Sequence, residues 1–265
     1  MSGELALLGK VLQLAGDAEA EIQEFVETVG QSPNLAARVV QVSNSALYGM
    51  EGRVQRLDRG VLILGVDTVA GIATSVVVAE RAKRVKIPGM PADALWLHSL
   101  VTGICAEILA RSLGLPVYRE AYLAGLLHDL GIIDLCEQEN ARCADLVVQA
   151  PESHCPLYQL EREKLGRTHG ELLAESAEEW GLPEPLRMAI RFHDSPGEAP
   201  EHSRTLASLL LASHALTQEL SGWSDDPPDG AAQAELEGLG IDLADLEDLR
   251  DLVAERLKTA SRLFS

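Results

Sequence analysis

The sequence predicts an all-α protein, and three observations predict it. Apolar residues recur at three- and four-residue steps along most of the chain. No segment shows the strict apolar–polar alternation of a half-buried strand. Glycine, proline and asparagine break the pattern at helix-length intervals. The first is the signature of one buried helix face, the second removes strands, and the third supplies the stops.

The elements follow in order. Leu5, Leu8, Val11, Leu12 and Ala15 share one helix face, and Ile22, Phe25, Val26 and Val29 share a second that ends at Gly30. Ser32-Pro33-Asn34 is a turn, with Asn34 expected as the cap of a third helix that stops within Asn44-Ser45-Ala46-Leu47-Tyr48-Gly49. Leu57–Leu64 is a short apolar helix closed by Gly65, and Asp67 or Thr68 is expected to cap the next, to about Arg81. Arg81, Lys83, Arg84 and Lys86 gather at its end, where positive charge suits the helix dipole. That cluster is too small to argue for nucleic acid. Ile87-Pro88-Gly89-Met90-Pro91 is the best internal boundary. Beyond it come helices over 93–113, 119–129, 135–150 (with Pro151 as a stop), 157–164, 169–180, 185–193 and 205–220. Residues 225–265 carry eleven acids against four basic residues and read as an acidic loop followed by an amphipathic helix, Leu243 to Leu257. The expected organisation is 1–87, 88–224 and 225–265.

Composition bounds the function. The chain has 265 residues, 22 Lys+Arg against 41 Asp+Glu, and a net charge of −19. Such a charge excludes binding that neutralises phosphates over a broad surface, and 4 % aromatics leave few platforms for base stacking. At 46 % hydrophobic residues the chain folds around a core. The longest apolar stretch, 61–78, is interrupted by Gly65, Asp67 and Gly71, short of the roughly 20 apolar residues of a membrane span. No secretory signal is read at the N-terminus, and Cys105, Cys136, Cys143 and Cys155 are expected as reduced thiols in a cytoplasmic protein.

The residues that can carry chemistry are histidines. His128-Asp129 stands in Gly125-Leu126-Leu127-His128-Asp129-Leu130-Gly131; His98 and His169 begin other helices, and His193-Asp194 ends another. Imidazoles with a carboxylate suit iron, manganese or zinc. Adjacent helical residues diverge by about 100°, so other helices must supply the remaining ligands. Each histidine taken alone reads first as a hydrogen-bonded core residue, and only the four together point to one cleft. Glu161 and Glu163 lie in a charge run that reads as a solvated face, and Cys105 as a small core residue.

The order of these motifs resembles the HD superfamily of metal-dependent phosphohydrolases, and more closely its HDOD branch, the HD-related output domain of bacterial signalling proteins. Ser43-Asn44-Ser45 with Tyr48-Gly49, then Leu64-Gly65, Trp96-Leu97-His98-Ser99 and the His128-Asp129 motif carry the likeness. So do Gly166-Arg167-Thr168-His169, Trp180-Gly181-Leu182-Pro183 and Phe192-His193-Asp194-Ser195-Pro196. The resemblance implies an HD-like multi-helix bundle with an N-terminal helical subdomain. It implies a metal set of His98, His128, Asp129, His169, His193 and Asp194, if retained, for iron, manganese or zinc. Arg167 and Arg191 are the weak candidates for phosphate.

Two departures weigh against catalysis. The resemblance places the family's last metal carboxylate at about Ser213 here, where a neutral hydroxyl cannot replace its charge; His214 offers a nitrogen instead but is one helical position away. Ile132 stands where the cyclic di-GMP hydrolases of the HD-GYP branch have lysine. The expected function is therefore a non-catalytic regulatory module that works through a signalling partner in trans or senses a small ligand such as a nucleotide. The alternative is a metal-dependent phosphohydrolase. Neither nucleic acid nor membrane is an expected partner.

Overall fold

The protein is all-α in a computed structural model that describes residues 3–45, 52–88, 90–91, 93–139, 141–221, 230–241 and 246–264. No strand occurs among the described residues. The chain divides into two compact units.

One unit is formed by residues 1–77, 179–182 and 258–265. It contains α1 (Gly3–Gly16), α2 (Ile22–Gly30), α3 (Pro33–Ser43), α4 (Leu57–Leu64) and the start of α5 (Val66–Arg84). Leu8, Val11, Phe25, Val29, Val39 and Val61 form its core. The cap of α3 is Ser32, not Asn34: Ser32 Oγ accepts the Leu35 N–H at 3.2 Å. Pro33 has no N–H to satisfy, so the helix starts there and its cap moves one residue back. Asn44 ends α3 and exchanges two hydrogen bonds with the Val54 backbone, at 2.9 and 2.7 Å. The Tyr48-Gly49 part of that motif lies outside the described residues. Trp180 is buried against Gly9 of α1.

The other unit, residues 78–178 and 183–257, carries the histidines. Its helices are α6 (Ala94–Ser112), α7 (Tyr118–Leu127), α8 (Leu130–Glu139), α9 (Ala141–Ser153), α10 (Leu157–Leu165), α11 (His169–Glu179), α12 (Glu184–Arg191), α13 (Glu201–Ser221), α14 (Gly230–Gly238) and the first part of α15 (Leu246–Phe264). α6 is apolar nearly all round and is correspondingly buried, packed on α7 and α13. It is long and apolar enough to cross a membrane, yet 78 % of that window is buried within the protein. At its crossing with α7 two glycines meet: a Cβ on Gly125 would lie 2.5 Å from Gly103 Cα.

Several expectations are corrected in this unit. The stretch 135–150 is two helices, not one, and Pro151 sits inside the last turn of α9 rather than beyond its end. Cys136 and Cys143 are disulfide-bonded, whereas Cys105 and Cys155 are free. The paired Cα atoms, one on α8 and one on α9, lie 4.9 Å apart, within bridging range. Arg81 is buried and paired with Asp134 and Glu137 of α8, so this member of the basic cluster is neutralised by the fold. Helix α14 lies where a loop was expected to continue. In α15, Val253 is buried and Leu252 exposed, so one side of the leucine pattern packs; Leu243 lies outside the described residues.

Candidate metal centre

Five histidines and Asp129 meet in the second unit. α7 stops at Leu127 and α8 starts at Leu130, so His128-Asp129 occupies the joint between two helices. This resolves the divergence of adjacent helical residues: at a joint both side chains can turn inward. His98 comes from the first turns of α6, His169 from the start of α11, His193 from just beyond α12, and His214 from the middle of α13. α8 and α11 approach so closely that a Cβ on Gly131 would lie 2.1 Å from the His169 carbonyl oxygen. Only glycine permits that approach at Gly131, and it sets His169 beside Asp129.

The centre has two sides, one for each oxygen of Asp129. Oδ2 lies 3.2 Å from His98 Nε2 and 3.1 Å from His128 Nε2. Oδ1 lies 3.5 Å from both His169 Nε2 and His193 Nε2. Asp194 adjoins the second side, with Oδ1 3.3 Å from His193 Nε2. On the first side His214 stacks edge-on against His98, ring centroids 4.6 Å apart. The ligand atoms of His98, His128, Asp129 and His214 all lie within 4.8 Å of one another, as do those of Asp129, His169 and His193.

Hydrogen bonds fix the rings. His128 Nδ1 donates to the Gly125 carbonyl at 2.8 Å, and His193 Nδ1 to the Ile190 carbonyl at 2.7 Å. His169 Nδ1 donates to Glu161 Oε2 at 2.8 Å, and the same oxygen accepts the His169 backbone N–H at 2.9 Å. In the neutral rings the proton therefore sits on Nδ1 and the Nε2 lone pair faces inward. Two such faces meet closely: His98 and His128 Nε2 are 3.3 Å apart, His169 and His193 Nε2 3.2 Å. The nitrogens come near the carboxylate, yet neither Asp129 oxygen accepts a hydrogen bond of good geometry.

These are the features of a cation site. Lone pairs converge on a buried carboxylate left without hydrogen bonds, and each of three rings is held from behind by an acceptor. The donor chemistry fits a divalent transition ion. Without one, positive charge has to come from imidazolium. Burial alone would raise the Asp129 carboxyl, but the surrounding imidazoles, His128 first, hold it well below the usual carboxylate range. Burial pushes His128 down to about 4 despite Asp129. At His169 burial also opposes the charge, but Glu161 and Asp129 outweigh it and raise the ring well above its ordinary value. His193 is raised against the same burial penalty, chiefly by Asp194.

Residues 6–196 match the sequence model of the HDOD domain. The chain belongs to the HDOD family. It is 25 % identical over 205 residues to an uncharacterized protein of Treponema pallidum (strain Nichols), covering 77 % of this chain and 39 % of that protein. A crystal structure of a protein from Marinobacter aquaeolei VT8, provisionally described as a signal transduction protein, matches with a TM-score of 0.76 at 26 % identity. That match covers 98 % of this chain and 59 % of the other. This chain thus spans less than two thirds of either relative. An HDOD domain protein from Geobacter sulfurreducens shares the fold, with a TM-score of 0.70 at 20 % identity over 94 % of this chain and 91 % of that one.

The remaining candidates of this HDOD chain have partners or surroundings of their own. Arg167 is paired with Glu175 at 2.8 Å and Arg191 with Glu171 at 3.2 Å. Ser213 is buried on α13, beside Cys105 of α6. Two residues of the centre do not stand out in the sequence. Glu161 is fully buried behind His169, not on a solvated face, although its neighbours Arg162, Glu163 and Lys164 are exposed. Its signal is the pairing of a glutamate with a histidine across the Gly166 turn. His214, one helical position from the expected carboxylate, belongs to the centre and lies beyond the residues matched by the family model.

Proposed function

We propose that this chain is a non-catalytic HDOD module of bacterial signal transduction, whose His/Asp centre holds a divalent metal within the folded core. Burial carries this reading. His98, His128, Asp129 and His169 are 0 % exposed, and His193 and His214 are 1 % and 2 % exposed. A hydrolase must bring phosphorus against a metal-activated water, and ligands closed over by protein leave no approach. The charge of −19 disfavours a phosphate as well, and Arg167 and Arg191 are already engaged with glutamates. The signal-transduction description of the Marinobacter protein supports the same reading.

In this role the module acts in the cytoplasm, through a signalling partner in trans or a small ligand such as a nucleotide. His98, His128 and His214 would hold an ion at Asp129 Oδ2, and His169 and His193, with Asp194 adjoining, would hold one at Oδ1. Iron or zinc suits the imidazoles of this set, and manganese its carboxylates. A bound ion would supply positive charge that the buried carboxylate otherwise draws from imidazolium. The protein's own part is to keep the Nδ1 protons of His128, His169 and His193 on their acceptors, so that Nε2 stays available.

The second reading is a metal-dependent phosphohydrolase. Asp194 favours it, because its side chain is 8 % exposed and brings the Oδ1 side nearest to solvent. The test is turnover. Chelator-stripped protein is reloaded with Fe²⁺, Mn²⁺ or Zn²⁺ and given p-nitrophenyl phosphate, its bis ester, cyclic di-GMP and nucleoside triphosphates. The regulatory reading expects near-stoichiometric metal with turnover no higher than in Asp129→Asn. Turnover that Asp129→Asn abolishes gives the function to the hydrolase instead.

A further inference from the structure

Which metal the centre selects depends on its donors, and the choice rests on the proposal that the centre holds metal at all. The resemblance to HD proteins places a carboxylate at Ser213, and the next residue, His214, turns inward instead. Its ring lies edge-on to His98 at 4.6 Å and to His128 at 5.7 Å between centroids. It is buried, and its ligand nitrogen lies within 4.8 Å of those of His98 and His128 and of an Asp129 oxygen. The rotation of α13 that achieves this is pinned. Thr217 Oγ1 bonds the Ser213 carbonyl at 2.7 Å and lies 3.2 Å from Thr102 Oγ1 of α6. Thr102 is one turn beyond His98 and Thr217 about one turn beyond His214, so a buried hydroxyl pair holds the two helices in register beside the two rings.

We propose that His214 is the metal-selecting ligand of the Oδ2 side, making it a three-imidazole, one-carboxylate site for zinc, ferrous iron or a similar transition ion. Two physical arguments lead there. Exchanging a carboxylate for an imidazole removes a negative charge and a hard oxygen donor. Magnesium and manganese depend on such donors, whereas zinc, iron, cobalt and nickel accept imidazole readily. The site is also closed to bulk solvent, with His98, His128 and Asp129 fully buried and His214 nearly so. Magnesium sheds its waters reluctantly and keeps several of them when bound, so a site whose ligands are sealed from bulk solvent disfavours it.

The experiment is metal competition on the full-length chain. Stripped wild type, His214→Ala, His214→Gln and His214→Asp are titrated with Zn²⁺, Co²⁺, Mn²⁺ and Mg²⁺, with metal content by elemental analysis and the visible spectrum of the cobalt form. Circular dichroism checks folding, and His214→Gln, which keeps a side chain of similar size, decides if the alanine variant does not fold. Wild type is expected to hold zinc at least ~100-fold more tightly than magnesium. Removing the imidazole should weaken zinc by about 100-fold or more and change the cobalt spectrum, on the scale of losing a direct ligand rather than its support. His214→Asp should recover metal binding but narrow the zinc-over-manganese preference by about 10-fold or more. If wild type binds metal and the folded variants keep its affinities, preferences and cobalt spectrum, His214 is packing and the inference is overturned while the metal reading stands. If wild type takes up no metal at all, the metal reading itself fails and this inference with it.

Discussion

The two sides of Asp129 are built from the same donors and supported differently. On the Oδ2 side, His128 leans on a backbone carbonyl, and burial drives its ring toward the neutral form. On the Oδ1 side, His169 leans on a buried glutamate and His193 adjoins Asp194, and both rings are raised toward the charged form. A carboxylate behind an imidazole makes the ring more basic and a stronger ligand, whereas a carbonyl mainly fixes its tautomer. One carboxylate thus faces a side of three imidazoles and a side that brings its own negative charge.

The largest expected effect breaks both sides at once. Asp129→Asn removes the shared charge, and metal affinity should fall by at least ~100-fold on each side, read as metal content after dialysis. Retention of either ion would show that the sides do not share that carboxylate. Gly131→Ala strikes the Oδ1 side alone, because its new Cβ meets the His169 carbonyl. A loss of about 3 kcal/mol in chemical unfolding is expected from such overpacking, and the folded fraction should keep metal only on the Oδ2 side. An unchanged unfolding midpoint would mean that α8 and α11 are not in main-chain contact. Glu161→Gln keeps the shape and removes the charge behind His169. About 10- to 100-fold weaker binding of the Oδ1 ion is expected, with the Oδ2 ion unaffected; equal weakening of both would erase the contrast between the sides. The smallest effect concerns Cys105, on α6 beside Ser213. Burial pushes its thiol up to about 12, only partly offset by Ser213. Iodoacetamide at pH 8 should therefore label Cys155 and leave Cys105 untouched in the folded chain, which peptide mass spectrometry would read.

Much of this is legible in the sequence because helices announce their ends. Gly65 closes α4 at the expected residue, the apolar runs of α1 and α2 lie as the three- and four-residue steps place them, and α6 falls within the expected 93–113. Helix α14 is not legible, since Gly230–Gly238 has no continuous apolar stripe to mark a face. The break between α8 and α9 is hidden because apolar residues continue in step on both sides of it. Four of the centre's histidines and Asp129 can be read from their order along the chain. Glu161 cannot: a glutamate within a run of charges looks solvated until the turn at Gly166 folds His169 back over it. His214 is obscured by phase: one helical position turns a side chain by about 100° on an isolated helix, yet on α13, packed within the bundle, Ser213 and His214 are both buried.

The meeting of Gly103 and Gly125 bears on how such a centre can change. There α6 and α7 touch through main chain, with no side chain between them as a cushion. The distance between the segments that carry His98 and His128 is therefore gauged by backbone thickness, the one dimension that substitution elsewhere in the core does not alter. Amides at this crossing should exchange with solvent only through global unfolding. A frame fixed in this way lets its occupants be replaced one at a time: a carboxylate can give way to an imidazole on α13 while the opening between α6 and α7 keeps its size.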